Sequence, residues 1–353
     1  MSLLPNDTVG ADQRLPIRPD GPAGAAASNG FIHWFQGFRR TTDASILVVF
    51  VIIQIICIAA ALIAPTSFRY LSGPNISVML QAIPSLGIVA LGVGVLMIAG
   101  EFDLSVGTAA TFVSVVAAML MNMSISVWIA SAVAIMLGTL IGTLNGLITL
   151  QFAMPSFIVT LGGLLFWHGM TFLVHGAQSI GFRPDPVFQF VFGGNFGLVG
   201  TSFLWLILCC IGFHVMLQHH RLGNQIFAVG GNRDAATAIG ISPRKIKLVA
   251  FSIAGAMAAF SGIISATRVN SINPAQGQGV ELQAIAACVI GGLALTGGRG
   301  GILGIFLGAS LIYTIQDVLL LMRAPGFYLD IFVGALIVIA VIFNQVAGNR
   351  FRR

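Results

Sequence analysis

Residues 78–121 read VMLQAIPSLGIVALGVGVLMIAGEFDLSVGTAATFVSVVAAMLM. Two uncharged apolar runs, 78–99 and 104–121, flank a short polar break, Gly100-Glu101-Phe102-Asp103. A helix needs about 20 mostly apolar residues to cross ~30 Å of hydrocarbon, so the first run is long enough and the second is short. Inside lipid each backbone N–H and C=O must be satisfied by the protein itself, which favours helices wherever such runs follow one another. The stretch therefore predicts two membrane helices joined by a tight polar turn.

The same pattern extends outward in both directions. Ten candidate spans are legible, at 45–64, 78–99, 104–121, 127–150, 154–174, 199–217, 246–266, 280–295, 302–322 and 327–344. Composition agrees: of 353 residues 57% are hydrophobic and 8% charged, with a mean hydropathy of +0.96. An ordinary soluble domain carries roughly 25% charged residues, so a soluble enzyme, a nucleic-acid binder and a secreted disulfide scaffold are set aside. The expected fold is all-α, a polytopic membrane protein of about ten helices. The third span and especially the eighth are short, and Gly291-Gly292 marks the eighth as a broken or re-entrant helix. A five-plus-five split enters its second half from the opposite face, which is the parity of an inverted repeat.

Three regions follow: a flexible tail at 1–44 and a basic end at 346–353, both expected to be cytoplasmic, and a membrane-spanning domain at 45–345 between them. The tail closes on Phe31, Trp34, Phe35 and Phe38 beside Arg39 and Arg40, which suits either a helix at the headgroup level or a plain linker. Ten crossings put both termini on one side. Counting Lys and Arg places thirteen on that side and four, Arg69, Arg183, Arg268 and Arg323, on the other. The positive-inside rule makes the basic side cytoplasmic. All four cysteines, Cys57, Cys209, Cys210 and Cys288, lie in apolar runs without ligand spacing, and the six histidines, His168 and His214 among them, show no metal pattern. No metal or cofactor is expected. The stripes Gly138-xxx-Gly142-xxx-Gly146 and Gly300-xxx-Gly304-xxx-Gly308 read as close helix packing.

The loop at 219–245 is too long for a simple helix connection. It holds Gly230-Gly231, then Asn232 as an N-cap, then an Ala-rich stretch through Ala235 and Ala236, stopped by Gly240 and Pro243. That spells one or two turns of helix, a socket for a motor subunit. The motor is not in this chain: a Walker loop needs Gly-Lys-Ser/Thr, and the only lysines, Lys245 and Lys247, follow Arg244 and Ile246.

Three segments resemble the permease subunits of bacterial ABC importers for simple sugars, of the ribose, arabinose and xylose type. Gly100-Glu101-Phe102-Asp103-Leu104-Ser105-Val106-Gly107 is similar to the family's Gly-Gly-Ile-Asp-Leu-Ser-Val-Gly. Residues 228–241 are similar to its coupling loop. Residues 273–287, from Asn273-Pro274 through Gly277, Gly279, Val280, Glu281 and Gln283, resemble its Gln-Pro-x-x-Gly-x-Gly-Tyr-Glu-Leu motif, with Asn and Val at two positions. The resemblance covers about residues 45–345. It implies cytoplasmic ATP-binding subunits as partners, a periplasmic sugar-binding protein, and a second permease copy or paralogue. It implies import, with ATP and Mg handled by the partner subunit. Carried over, Gly230, Gly231, Asn232, Ala235, Ala236, Gly240 and Ile241 form the ATPase-coupling surface, with Arg233 and Asp234 departing from the family's usual residues. Branched-chain amino-acid permeases are more distant relatives.

Pathway or gate positions are expected among Glu101, Asp103, Ser105, Asn145, Glu281, Gln283, Gln316 and Asp317. Buried charge is costly in a membrane, which singles out Asp317 as an acid well inside a span. Asp103, next to an apolar helix, suits an N-cap better than a solute contact. The alternative function is an ion-coupled secondary transporter of a small polar solute, working through Asp317; an intramembrane enzyme lacks a nucleophile and base at matching depth. The spans offer few polar side chains, so solute recognition is expected mostly in the binding protein.

Overall fold

The computed structural model describes residues 42–350. The expected tail over 1–44, with its aromatic and arginine cluster, and the last three residues of the basic C-terminal end lie wholly or mostly outside them.

The helices are α1 (Thr42–Ile63), α2 (Gly73–Ile98), α3 (Val106–Asn122), α4 (Val127–Gln151), α5 (Ser156–His175), α6 (Pro186–Gly193), α7 (Thr201–His219), α8 (Arg221–Gly231), α9 (Arg233–Ala238), α10 (Pro243–Val269), α11 (Val280–Ile290), α12 (Ile302–Leu321) and α13 (Phe327–Arg350). Seven of them are long and apolar enough to cross a membrane, and α3, α11 and 327–336 of α13 are shorter apolar helices. Each of the ten expected spans coincides with a helix. The eighth is the shortest: α11 stops at Ile290, short of the expected 295, because Gly291 ends it and Gly292 turns the chain at φ +87°.

Local chemistry sets the ends. Ser72 accepts the Asn75 N–H ahead of α2, with Pro74 in the first turn, and a proline there loses no helical hydrogen bond. Pro243 opens α10 in the same way, and Asn270, left-handed at φ +57°, closes it. Asp185 caps α6, accepting from Val187 and Phe188. This helix, absent from the span pattern, sets Phe188 and Phe192 against Trp128 and stacks Phe192 on Trp205.

α2 and α10 form the centre. Their most apolar windows are 89% and 56% buried, with α12 beside them at 61%, against 17% for α1 and 11% for α5. The two run antiparallel: the Ser261 hydroxyl donates to the Ser85 carbonyl, Gly92 lies against Ala254 and Met257, and the end of α2 meets the start of α10. α4 packs on α10 as α12 packs on α2, and α3 touches α4 and α5 as α11 touches α12 and α13. Second and seventh spans, fourth and ninth, third and eighth thus hold equivalent places in opposite directions, an inverted five-plus-five repeat. The glycine stripes are the contact surfaces. Gly138, Gly142 and Gly146 face Phe251, Gly255 and Ala259 of α10, while Gly304 and Gly308 face Gly291 and Ala287. A Cβ at Gly142 or Gly308 would overlap a facing backbone carbonyl, so the approach depends on the missing side chain.

Four two-residue strands complete the fold. β1 (Ile180–Gly181) pairs antiparallel with β4 (Ser271–Ile272), and β2 (Asn195–Phe196) with β3 (Val199–Gly200). The first pair ties the linker after α10 to the linker after α5.

Candidate functional site

Two shorter helices begin inside the helix bundle rather than at its edge. Residues 99–105 lead from the end of α2 to α3, and 270–279 lead from the end of α10 to α11. The two linkers reach the interior from opposite faces and their products cross where Gly107, in the first turn of α3, lies against Gly277. A Cβ on either glycine would overlap the other's carbonyl oxygen, so only glycine permits the crossing.

Above this crossing, towards the far end of α10, lies a cavity of about 300 Å³. Its walls come from α2, α3, α10, the 276–278 linker, α11 and α12. From α10 it takes Ser261, Ser265 and Arg268, one stripe at helical spacing; from the linker and α11, Gln276, Gln278 and Gln283; from α12, Tyr313 and Gln316; from α2 and α3, Ser85 and Thr111. Arg268 is the one charged residue in this lining, and its Nε has no hydrogen-bond partner among the described residues. Several of the spans' scarce polar side chains thus meet at this cavity, joined by Gln276 and Gln278 from the linker. A hollow of about 500 Å³ elsewhere, at the α3–α4 turn beside Arg183 and Asp185, touches none of the expected site residues.

Of the expected pathway residues, Gln283 and Gln316 line the cavity. Glu281 stands directly behind its floor. One carboxylate oxygen accepts the Gly279 N–H at 3.0 Å; the other has no partner and lies 2.7 Å from where a Cβ on Gly107 would sit. That places it at the amino end of α3, where a negative group is favoured by the free N–H groups and the helix dipole.

The others serve elsewhere. Asp103, Ser105 and Asn145 form one buried cluster outside the cavity: Asp103 Oδ1 accepts from the Ser105 N–H and hydroxyl at 2.7 Å, and the Asn145 amide donates to Ser105 Oγ at 2.8 Å and to Asp103 Oδ2 at 3.3 Å. Asp103 does bond backbone next to α3, but the cap position itself is Ser105. Asp317 is buried yet sits four residues from the end of α12, not deep in a span, and accepts from Asn75 Nδ2 at 2.9 Å. With Tyr70, Gln54 and Thr314, bonded in series nearby, it staples α1, α2 and α12 together.

Glu101 lies on the opposite face from the cavity, paired with Lys247 at 2.5 Å, both side chains 13% exposed. Beside this pair the 219–245 loop meets the rest of the chain. α8 runs through Gly230 and Gly231, a helix not expected there. A Cβ on Gly230 would overlap the Ile98 carbonyl, which accepts the Gly298 N–H at 2.8 Å, while Gly297 and Gly298 turn at φ +84° and +72°. Three segments, 98–100, 230–231 and 297–298, therefore meet backbone on backbone. Asn232 caps α9 as expected, accepting from Asp234 and Ala235, and Gly240 ends it at φ +83°. Ala236 is buried and Ile241 half-buried; Gly231, Asn232, Ala235 and Gly240 are exposed, as is Ile239, at 74%. The exposed Ile239 was not singled out from sequence, nor were Ser261, Ser265, Arg268, Gln276 and Gln278. Among the described residues no group of three or more His, Cys, Asp or Glu comes together that could hold a metal ion.

Residues 75–341 match the family described as the branched-chain amino acid transport system / permease component. Curated relatives include import and ABC transporter permeases. The chain is 32% identical to the autoinducer 2 import system permease protein LsrC of Escherichia coli O9:H4 strain HS over 277 residues, 78% of this chain and 80% of that one. It is 29% identical to the L-arabinose ABC transporter permease protein AraH of Azospirillum brasilense over 96% and 97% of the two chains. With the ribose import permease protein RbsC of Escherichia coli K12 it shares 31% over 81% and 90%. No solved structure matches the chain. The protein belongs to this permease family and is a membrane permease subunit of the sugar ABC importer type.

Proposed function

We propose that the chain is the translocating subunit of an ATP-driven, binding-protein-dependent importer that carries a monosaccharide across the inner membrane. The observation that carries this reading is the inverted repeat with its two ends differently built: a polar cavity near one face and, at the other, an exposed short helix resting on a backbone junction. Solute enters from the cavity side, handed over by a periplasmic binding protein. Cytoplasmic ATP-binding subunits dock on Gly231, Asn232, Ala235, Gly240 and Ile239, so both termini are cytoplasmic. Gly230, Ala236 and Ile241 anchor that surface to the body of the chain.

Movement of α8 and α9 is transmitted directly, since Gly230 touches the end of α2 at Ile98 and Glu101 grips Lys247 at the start of α10. α10 has 27 residues, roughly 40 Å at 1.5 Å per residue, and carries Ser261, Ser265 and Arg268 at its other end. A tilt of the α2–α10 pair driven at the loop face thus changes the cavity at the opposite face. An ion-coupled mechanism gains nothing from Asp317, whose place in a hydrogen-bonded staple is structural.

The test is uptake of labelled pentoses and hexoses into proteoliposomes containing the chain with its ATP-binding and binding-protein partners. Uptake that needs both partners and ATP supports the reading; uptake by the chain alone, driven by an ion gradient, overturns it. Gly231→Asp adds a charge to an exposed position where a Cβ would meet only the Gly298 Cα, at 3.9 Å. It is expected to abolish ATP-dependent uptake and co-purification of the ATP-binding subunit without affecting insertion.

A further inference from the structure

We propose that the cavity is a solute site in its own right, selective for one neutral polyol of monosaccharide size, with the Arg268 guanidinium as its specificity-determining group. The proposal rests on the transport reading above and deepens it.

Size sets the first limit. About 300 Å³ is the lower end of the ~300–1,000 Å³ range of small-molecule sites, on the scale of one sugar ring. Polarity sets the second. Gln283 and Gln316 offer amides that both donate and accept, Ser265 and Tyr313 offer hydroxyls, and Thr111, whose hydroxyl donates to the Gly107 carbonyl, offers an acceptor, which is the inventory that ring hydroxyls require; Gln276 and Gln278 are exposed and already bonded to the Asn273 N–H and to His168. Buried polar groups without partners are costly, so a solute lacking hydroxyls loses more on entry than it gains.

Charge sets the third. Arg268 brings a planar fork of N–H donors to the lining, its Nε buried and without a partner among the described residues; such a fork suits two neighbouring hydroxyl oxygens as a lysine point charge does not. Across the floor formed by Gly107 and Gly277 stands the Glu281 carboxyl, with one oxygen also unpartnered. A carboxylate on the solute would gain Arg268 and press against Glu281; an ammonium would do the reverse. Hydroxyls tolerate both. A translocation site must also let go of its solute, so its affinity is weak enough for release, in the millimolar range, and the binding protein remains the tight receptor.

Saturation-transfer NMR on the purified chain in nanodiscs reads such weak binding. The probes are a panel of aldopentoses and aldohexoses, their aldonates, and sucrose. At least one neutral monosaccharide is expected to bind saturably, with aldonates and sucrose at least tenfold weaker. Arg268→Lys is expected to cut that binding at least fivefold and flatten the preference among epimers, which a purely structural role would not do. Gln316→Ala, a milder change, is expected to cut it two- to threefold and serves if Arg268→Lys does not fold. No saturable binding of any neutral monosaccharide, a preference for aldonates, or wild-type epimer preference in the folded variants would each overturn the proposal. Uptake in the reconstituted complex separates the two readings: uptake without such binding defeats the solute site alone, and binding without partner-dependent uptake defeats the importer reading alone.

Discussion

Two of the crossings that the chain makes on glycine, one inside the bundle and one at the loop face, have opposite results. At Gly107 and Gly277 the absence of side chains lets two helix starts meet while leaving space beside them, and polar groups from six segments surround that space. At Gly230, Gly297 and Gly298 the same absence lets three segments close on one another against Ile98, which is fully buried. Close backbone approach is therefore not in itself a sign of a site or of a seal. What distinguishes the two is the company: amides, hydroxyls and a guanidinium at the first, main-chain hydrogen bonds and apolar side chains at the second.

The comparison can be broken by putting side chains into each crossing. Gly230→Val forces two branches against the Ile98 carbonyl, a backbone atom with no room to yield. It should abolish ATP-dependent uptake and co-purification of the ATP-binding subunit; retained assembly with normal uptake would show that the junction is not a seal. Gly107→Ala is the counterpart, its Cβ overlapping the Gly277 carbonyl. Uptake should fall at least tenfold with the ATP-binding subunit still bound, and loss of that subunit instead would show that the two crossings are one structural unit.

Two smaller changes sharpen the account. Glu101→Gln leaves Lys247 without its counter-charge in a site 13% exposed, where an unpaired group costs about 1–3 kcal/mol. Uptake is expected to fall several-fold at unchanged solute binding, read by comparing transport with the NMR titration. Asn232→Ala removes the acceptor for the Asp234 and Ala235 N–H groups, worth about 1 kcal/mol for a helix cap. Faster amide exchange confined to α9, with a modest loss of co-purified ATP-binding subunit and of uptake, is the expected readout.

Much of this architecture is written in the sequence because apolar runs are contiguous. Ten helices fall within a few residues of the runs that predict them, and α9 is legible because Asn232, Gly240 and Pro243 act on their immediate neighbours. The inverted repeat is visible as parity and becomes definite only through the antiparallel α2–α10 contact. The cavity is another matter, since its lining is drawn from residues up to 234 positions apart, from Ala82 to Gln316. Gln283, at the opening of the short eighth span with Glu281, and Gln316, beside Asp317 in the ninth, are legible as pathway candidates. The stripe Ser261, Ser265, Arg268 was available at helical spacing, but Arg268 near a span end reads equally well as a loop charge. Asp317 drew attention as a buried acid, and only the structure supplies Asn75. Glu101 likewise shows its meaning once Lys247, 146 residues away, is beside it.

The central claim, that the cavity at one face answers to the motor at the other, is tested most directly by thiol accessibility. Ser265→Cys, placed in the full complex in proteoliposomes, is treated with a membrane-impermeant maleimide applied from the binding-protein side. The account predicts ready labelling without nucleotide and at least tenfold slower labelling when the ATP-binding subunits are held in their ATP-bound state by a non-hydrolysable analogue. Equal labelling in both states, or labelling only from the face of α8 and α9, would contradict it.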